Sequence, residues 1–264
     1  MISTKKKVLY GVFAAAFGLG CPILSQMTGM VIYQILLAVV GTSVQSITYL
    51  LELIDCLMYL TIGVLYFAIW KIAFRPQSEL EKPSLKLSGR SIVIGAGIAG
   101  VIAVWMMIAE HIPALSASLQ MMEKYNSMGI SGGFLAVVLN PVILGPITEE
   151  LAFRAIVFKG FQKAINTPVA AVLSALLFGI AHGILVQSVY TFIMGVIVAL
   201  VYARTKNLFY PIIMHITINM LASMQLLIPG KEMILDYVLL FMIIPASFFL
   251  YKLFRDKQYQ GAQC

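Results

Sequence analysis

Charge is what this chain has least of. Of its 264 residues only 11% are Asp, Glu, Lys or Arg, while 61% are hydrophobic and the mean hydropathy is +0.95. Soluble domains are about half apolar and about a quarter charged, so this shortage excludes an ordinary water-soluble domain. Cysteine is scarce too: Cys21, Cys56 and Cys264 are far apart and form no C-x-x-C. That spacing excludes a disulfide framework and a cysteine metal site, and the three read as free thiols. The sequence carries no basic stripe to go with its net charge of +7, because its Lys and Arg are scattered through short loops between apolar runs. Nucleic acid is therefore excluded as a partner, and the partner this composition implies is the lipid bilayer.

What the chain does have is long apolar runs from end to end. In lipid each run must satisfy its own backbone hydrogen bonds, so the expected fold class is all-α, a polytopic membrane helix bundle. Candidate spans fall at 8–30, 48–74, 91–110, 132–158, 168–185, 187–204, 208–227 and 234–252, about eight in all. The segment QILLAVVGTSVQSI, between the first two, is open to three readings: a third span, a helix extension or an interfacial piece. Lys5–Lys7 followed by VLYGVFAAAFGLG looks like the start of a signal peptide, but no small-x-small cleavage site follows, so it reads as an uncleaved first span.

Eight spans place both termini on one side. That side collects the N-terminal lysines, the loop RPQSELEKPSLKLSGR, Lys159, Lys163, Arg204, Lys206 and the YKLFRDK tail, leaving only Lys124 and Lys231 opposite. The positive-inside rule then puts both termini in the cytoplasm. The 75–90 loop divides an N-terminal transmembrane pair (1–74) from a six-helix core (91–264), all within one membrane domain. Residues 111–131 read as a short amphipathic helix at the far interface.

Ionisable groups within spans cost about 2.5–3.5 kcal/mol each even on lenient scales, so each needs a partner or a task. In this chain they gather in three places: TEELAFR, with Glu149, Glu150 and Arg154; FGIAHG, with Phe178 and His182; and HITIN, with His215 and Asn219. Glu150 and Arg154 are four apart and share a helix face, the spacing of an ion pair. Glu149 points about 100° away from that pair and is left over, as a general base would be. Phe178 is placed to wall His182, and His215 with Asn219 sets two donors side by side, as an oxyanion hole requires. Pro146 should loosen the helix and free a carbonyl beside the glutamates. Counting residues from the cytoplasmic ends puts Glu149 and His182 level, with His215 and Asn219 nearer the cytoplasm. Glu52, Asp55 and Lys71 read as structural or interfacial. Residues 1–130 carry no functional signature.

The order E-E-x-x-x-R, F-x-x-x-H, H-x-x-x-N on successive helices resembles the CAAX protease and bacteriocin-processing (CPBP, Abi) family of intramembrane endopeptidases. The resemblance covers Glu149 to Asn219. It implies hydrolysis of a peptide bond in a membrane-associated protein or peptide, with Glu149 and His182 activating water and His215 and Asn219 holding the oxyanion. Glu150, Arg154 and Phe178 would be supporting residues. H-E-x-x-H is absent, and the expectation is a glutamate-type enzyme needing no cofactor; zinc on the same residues is the alternative. Short loops suggest a bacterial plasma-membrane protein that processes bacteriocin or signalling peptides, or confers self-immunity. Two other readings keep the same residues: a non-catalytic scaffold of the same fold, and a proton-coupled transporter, against which the lack of an inverted repeat weighs. Substrate identity and oligomeric state are open at this level.

Overall fold

The computed structural model describes residues 2–40, 44–74, 82–130, 135–227 and 232–256, and every regular element among them is helical. The long elements are α1 (Thr4–Val40), α2 (Val44–Phe74) and α3 (Leu85–Glu110). A single 3₁₀ turn, Pro113–Leu115, leads into α4 (Ser116–Ile130). Next comes α5, one continuous run made of four stretches of alternating pitch. Leu135–Leu144 and Leu151–Phe158 are wound as π-helix, while Gly145–Glu150 and Lys159–Ala164 are α-helix. The last elements are α6 (Thr167–Ala181), α7 (Leu185–Thr205), α8 (Phe209–Leu227) and α9 (Glu232–Arg255).

By length and composition α1, α2, α3, α7 and α9 are able to cross a membrane, while α6 and α8 are shorter apolar helices. With the segmented α5 these fall at the eight positions expected from hydropathy, and the chain is an integral multi-pass membrane bundle. Of the ambiguous stretch, residues 41–43 lie outside the described residues and 44–47 open α2, while 34–40 extend α1, which runs unbroken through 37 residues to Val40. That is about 55 Å at 1.5 Å per residue, well beyond the ~30 Å hydrocarbon core. Residues 75–81 of the expected linker lie outside the described residues, and α3 begins at Leu85, inside that linker. Its start is pinned where the Ser84 N–H donates to the Tyr210 hydroxyl of α8 at 2.9 Å. The amphipathic segment after His111 does form a helix, α4.

Hydroxyls within the spans satisfy themselves locally: Ser25 donates to the Cys21 carbonyl at 3.0 Å and Thr28 to that of Leu24 at 2.8 Å. In lipid no other partner is at hand. The central helix is α5, whose residues Leu151 to Phe158 are all buried. A helix hydrophobic all round belongs in the middle of a bundle. Helices α1 and α2 pack on one side of it through Cys21, Ile62, Tyr66 and Trp70, in the same apolar cluster as Phe153, Phe158, Phe178 and Met214. Cys21 and Cys56 are free thiols, as expected; Cys264 lies outside the described residues.

Small residues let α3 approach its neighbours. A Cβ on Gly95 would come within 2.8 Å of the Met214 carbonyl oxygen of α8, and one on Gly100 would run into the Leu239 carbonyl of α9. Backbone cannot retreat as a side-chain tip can, so Gly100→Val should lower unfolding stability in detergent by about 1–3 kcal/mol. Gly89 of the same helix has nothing near its missing Cβ, so Gly89→Ala should be neutral or stabilising by about 0.5–1 kcal/mol. Chemical unfolding of the two variants in one micelle system checks both.

Candidate active site

The site is assembled where α5, α6 and α8 meet. Glu150 and Arg154 pair as their spacing predicts, with Arg154 Nε 3.1 Å from Glu150 Oε2 and both side chains fully buried. The other carboxylate oxygen is also engaged: His215 Nδ1 lies 2.9 Å from Glu150 Oε1. A carboxylate only accepts, so Nδ1 carries the proton of that bond and the ring's orientation is fixed from behind. The opposite ring nitrogen, Nε2, faces Glu149 Oε2 at 3.6 Å. Glu149 is thus the one glutamate of the two not committed to Arg154, and it is the half-open one, at 31% exposure against 0% for Glu150.

Phe178 is the hub on α6. Arg154 lies over its ring at 4.6 Å, and the His182 and His215 rings meet it edge to face at 4.8 and 5.9 Å. A buried guanidinium whose Nη1 and Nη2 find no hydrogen-bond acceptor gains from lying on a π face. His182 stands at the very end of α6, where Gly183 adopts φ +71° and closes the helix. That conformation suits glycine, which is the local reason for the His-Gly pair. His182 Nδ1 donates to the Phe178 carbonyl at 2.8 Å, which leaves Nε2 of the neutral ring as an acceptor.

Asn219 is one turn beyond His215, and its amide donates to the Pro141 carbonyl at 2.8 Å. The wound geometry of α5 explains why that carbonyl is free. At π pitch its partner would be the N–H five residues on, and residue 146 is proline. The carbonyl that Pro146 releases is therefore taken up by a neighbouring helix. Thr148 closes the next gap, donating to the Leu144 carbonyl at 2.8 Å.

Six of the seven predicted residues come together through these contacts, while Asn219 reaches α5 at Pro141, and there are two differences from the sequence reading. His215 lies at the level of the glutamates instead of nearer one face. Turns at π pitch rise less per residue than α turns, so counting 1.5 Å steps through Leu151–Phe158 overstates the depth of Glu149. Nor are the donors of His215 and Asn219 free: each already has a partner.

In front of Glu149 and His182 lies a cavity of about 690 Å³. It reaches Phe178 and Thr148 on the core side, and its other walls are α1 and α2, with Cys21, Gln26, Tyr33, Asp55, Tyr59 and Tyr66 among the lining residues. Sequence reading assigned these two helices no part in the site and read Asp55 as structural or interfacial. The one signal in the sequence was a carboxylate in an apolar span, the same cost that singled out Glu149.

The comparisons with known proteins fall on the same part of the chain. Residues 131–221 match the model of the family described as type II CAAX prenyl endopeptidase Rce1-like, a segment that holds all three motifs. The chain is similar to the membrane peptidase YdiL of Bacillus subtilis, so named provisionally, at 34% identity over 113 residues, 42% of this chain and 46% of YdiL. It is also similar to the membrane-embedded CAAX protease MroQ of Staphylococcus aureus, at 37% identity over 83 residues, 29% of this chain and 34% of MroQ. The matched region thus spans about half of the first relative and about a third of the second. No solved structure matches the chain.

Removing one member of the buried pair strands the other's charge. Arg154→Met should therefore destabilise the fold by about 3–5 kcal/mol, and adding Glu150→Leu should restore part of that loss, since a buried pair is replaced more cheaply than it is broken. Urea unfolding in micelles of the single and double variants measures the coupling.

Proposed function

We propose, for a multi-pass membrane chain whose 131–221 segment is of the CAAX-peptidase type, that it is an intramembrane endopeptidase cutting a peptide bond of a membrane-associated protein or peptide. One observation carries the reading: of the clustered charges, the carboxylate that opens on the cavity is Glu149, beside His182, while Glu150 and Arg154 are sealed behind it. A water held between the Glu149 carboxylate and His182 Nε2 gives its proton to Glu149 as its oxygen attacks the substrate carbonyl carbon. The negative charge that develops on the carbonyl oxygen needs donors. In its doubly protonated form His215 would keep Nδ1–H on Glu150 and offer Nε2–H to the oxyanion, and the second N–H of the Asn219 amide would join it, the first staying on Pro141. Glu149 then passes its proton to the departing amide nitrogen as the C–N bond breaks, and acid and amine fragments leave.

The roles are those of a glutamate-type peptidase working without a metal. What supports this is the donor geometry. Glu150 is committed to Arg154 and His215, and His215 Nε2 already faces the Glu149 carboxylate at 3.6 Å, as a donor beside a base does. Zinc on Glu149, His182 Nε2 and His215 Nε2 is the alternative, since both histidines are held through Nδ1, and it would need all three drawn to about 2.0–2.3 Å from the ion. The distribution of basic residues supports a cut toward the cytoplasmic side.

Replacing the base tests the reading. In proteoliposomes containing a panel of internally quenched amphipathic peptides, Glu149→Gln should lower the cleavage rate by about 10²–10⁴-fold with no change in the unfolding midpoint. Full-rate cleavage by this variant would overturn the assignment. A chelator should leave wild-type cleavage untouched, whereas loss of activity restored by zinc would make the enzyme a metalloprotease.

A further inference from the structure

The cavity in front of Glu149 has a charge sign. Two carboxylates, Asp55 and Glu149, are among the described residues lining it, and no Lys or Arg is. The pair is not a single acidic cluster. Asp55 belongs to α2, one helical turn from Tyr59, and the Tyr59 carbonyl accepts a 3.4 Å hydrogen bond from the hydroxyl of Thr148, the residue next to Glu149. Asp55 therefore stands about 5–6 Å along α2 from the level of the catalytic carboxylate, a distance that about two residues of extended chain cover.

The space between them is aromatic. Tyr59 and Tyr125 both line the cavity, and each phenol is within electrostatic reach of both carboxylates. Phenol faces attract cations, and two acids in a partly desolvated cavity with no Lys or Arg among its described lining residues favour a cationic guest. Glu52, three residues before Asp55, is no part of this: it is buried, with its carbonyl accepting from the Asn140 amide at 3.3 Å. Asp55 alone of the two turns to the cavity.

We propose that this cavity selects a substrate segment carrying a Lys or Arg side chain about two residues from the scissile bond, and that Asp55 is the specificity-determining partner of that cation. The inference rests on the peptidase reading. A long basic side chain suits the place, since its methylene stem lies along Ile54 and Met58 while its head meets Asp55 and the tyrosines.

The test uses N-acetylated quenched peptides, so that positive charge comes from a side chain and not from a free terminus. Copies of one peptide carry Arg, norleucine or Glu at each of several positions flanking the cut. The wild type in proteoliposomes should show a kcat/KM ratio of Arg over Glu of about tenfold or more at one such position. Asp55→Asn should bring that ratio close to unity, and Asp55→Lys should invert it. Glu110→Gln, at an exposed carboxylate outside the cavity, should leave it as in the wild type. A wild type that cuts norleucine peptides as well as Arg peptides, or an Asp55→Asn variant that keeps the wild-type ratio, overturns the proposal.

A binding arm separates this failure from failure of the peptidase reading. Fluorescence anisotropy of the same labelled peptides on Glu149→Gln protein should show the Arg preference, and adding Asp55→Asn should remove it. If no peptide is cleaved, the peptidase reading falls and anisotropy alone decides: an Arg preference abolished by Asp55→Asn sustains the site, and equal binding of Arg and Glu peptides ends it.

Discussion

One carboxylate that takes no part in the proposed chemistry organises the rest. Glu150 is completely buried and spends one oxygen on Arg154 and the other on His215, which ties the central helix to the seventh of the eight candidate spans. Ionised groups in a medium of low dielectric are tolerated only when paired, and a broken pair costs more than a missing one. The pairing geometry is therefore strongly enforced. With Glu150 fixed, the next residue back along the helix, Glu149, must face elsewhere, and the direction left to it is the cavity. Phe178 extends the same constraint to α6: its ring carries the guanidinium on one face and meets both histidine rings at its edges.

The central helix is irregular where it matters. Two stretches wound at π pitch flank the Glu149–Glu150 segment, and such turns leave carbonyls without their usual partners. Two carbonyls of these stretches accept a hydrogen bond from another helix. Pro141 receives the Asn219 amide, and Phe153 receives the Ser174 hydroxyl at 2.8 Å. Backbone defects have thus become interhelical bonds, the form of polar contact that holds helices together where lipid offers no hydrophobic driving force. The same bonds set how α6 and α8 present His182 and His215.

Much of the site was legible beforehand because it obeys helical arithmetic. Spacing of four residues announced Glu150 with Arg154, Phe178 with His182 and His215 with Asn219, and the cost of burying charge marked all of them as significant. What spacing could not supply was the partner on another helix. That His215 bridges both glutamates, and that Asn219 rests on a backbone carbonyl, depends on which helices are neighbours and on the pitch of α5. The contribution of α1 and α2 was hidden for the same reason. Asp55 lies in a region with no motif, and only packing of α2 against α5 brings it to the cavity that Glu149 also lines.

The sequence by itself determined that the chain is a helical membrane bundle, about how many helices it has, and which six polar side chains are too costly to be where they are without a reason. Those conclusions follow from local quantities, namely hydropathy, periodicity and the price of a buried charge. Tertiary structure alone decided that Glu150 locks His215 and that the N-terminal helices wall the cavity on which Glu149 opens. Contacts between helices far apart in sequence are settled by packing and by the capture of freed backbone groups, and no local pattern encodes either.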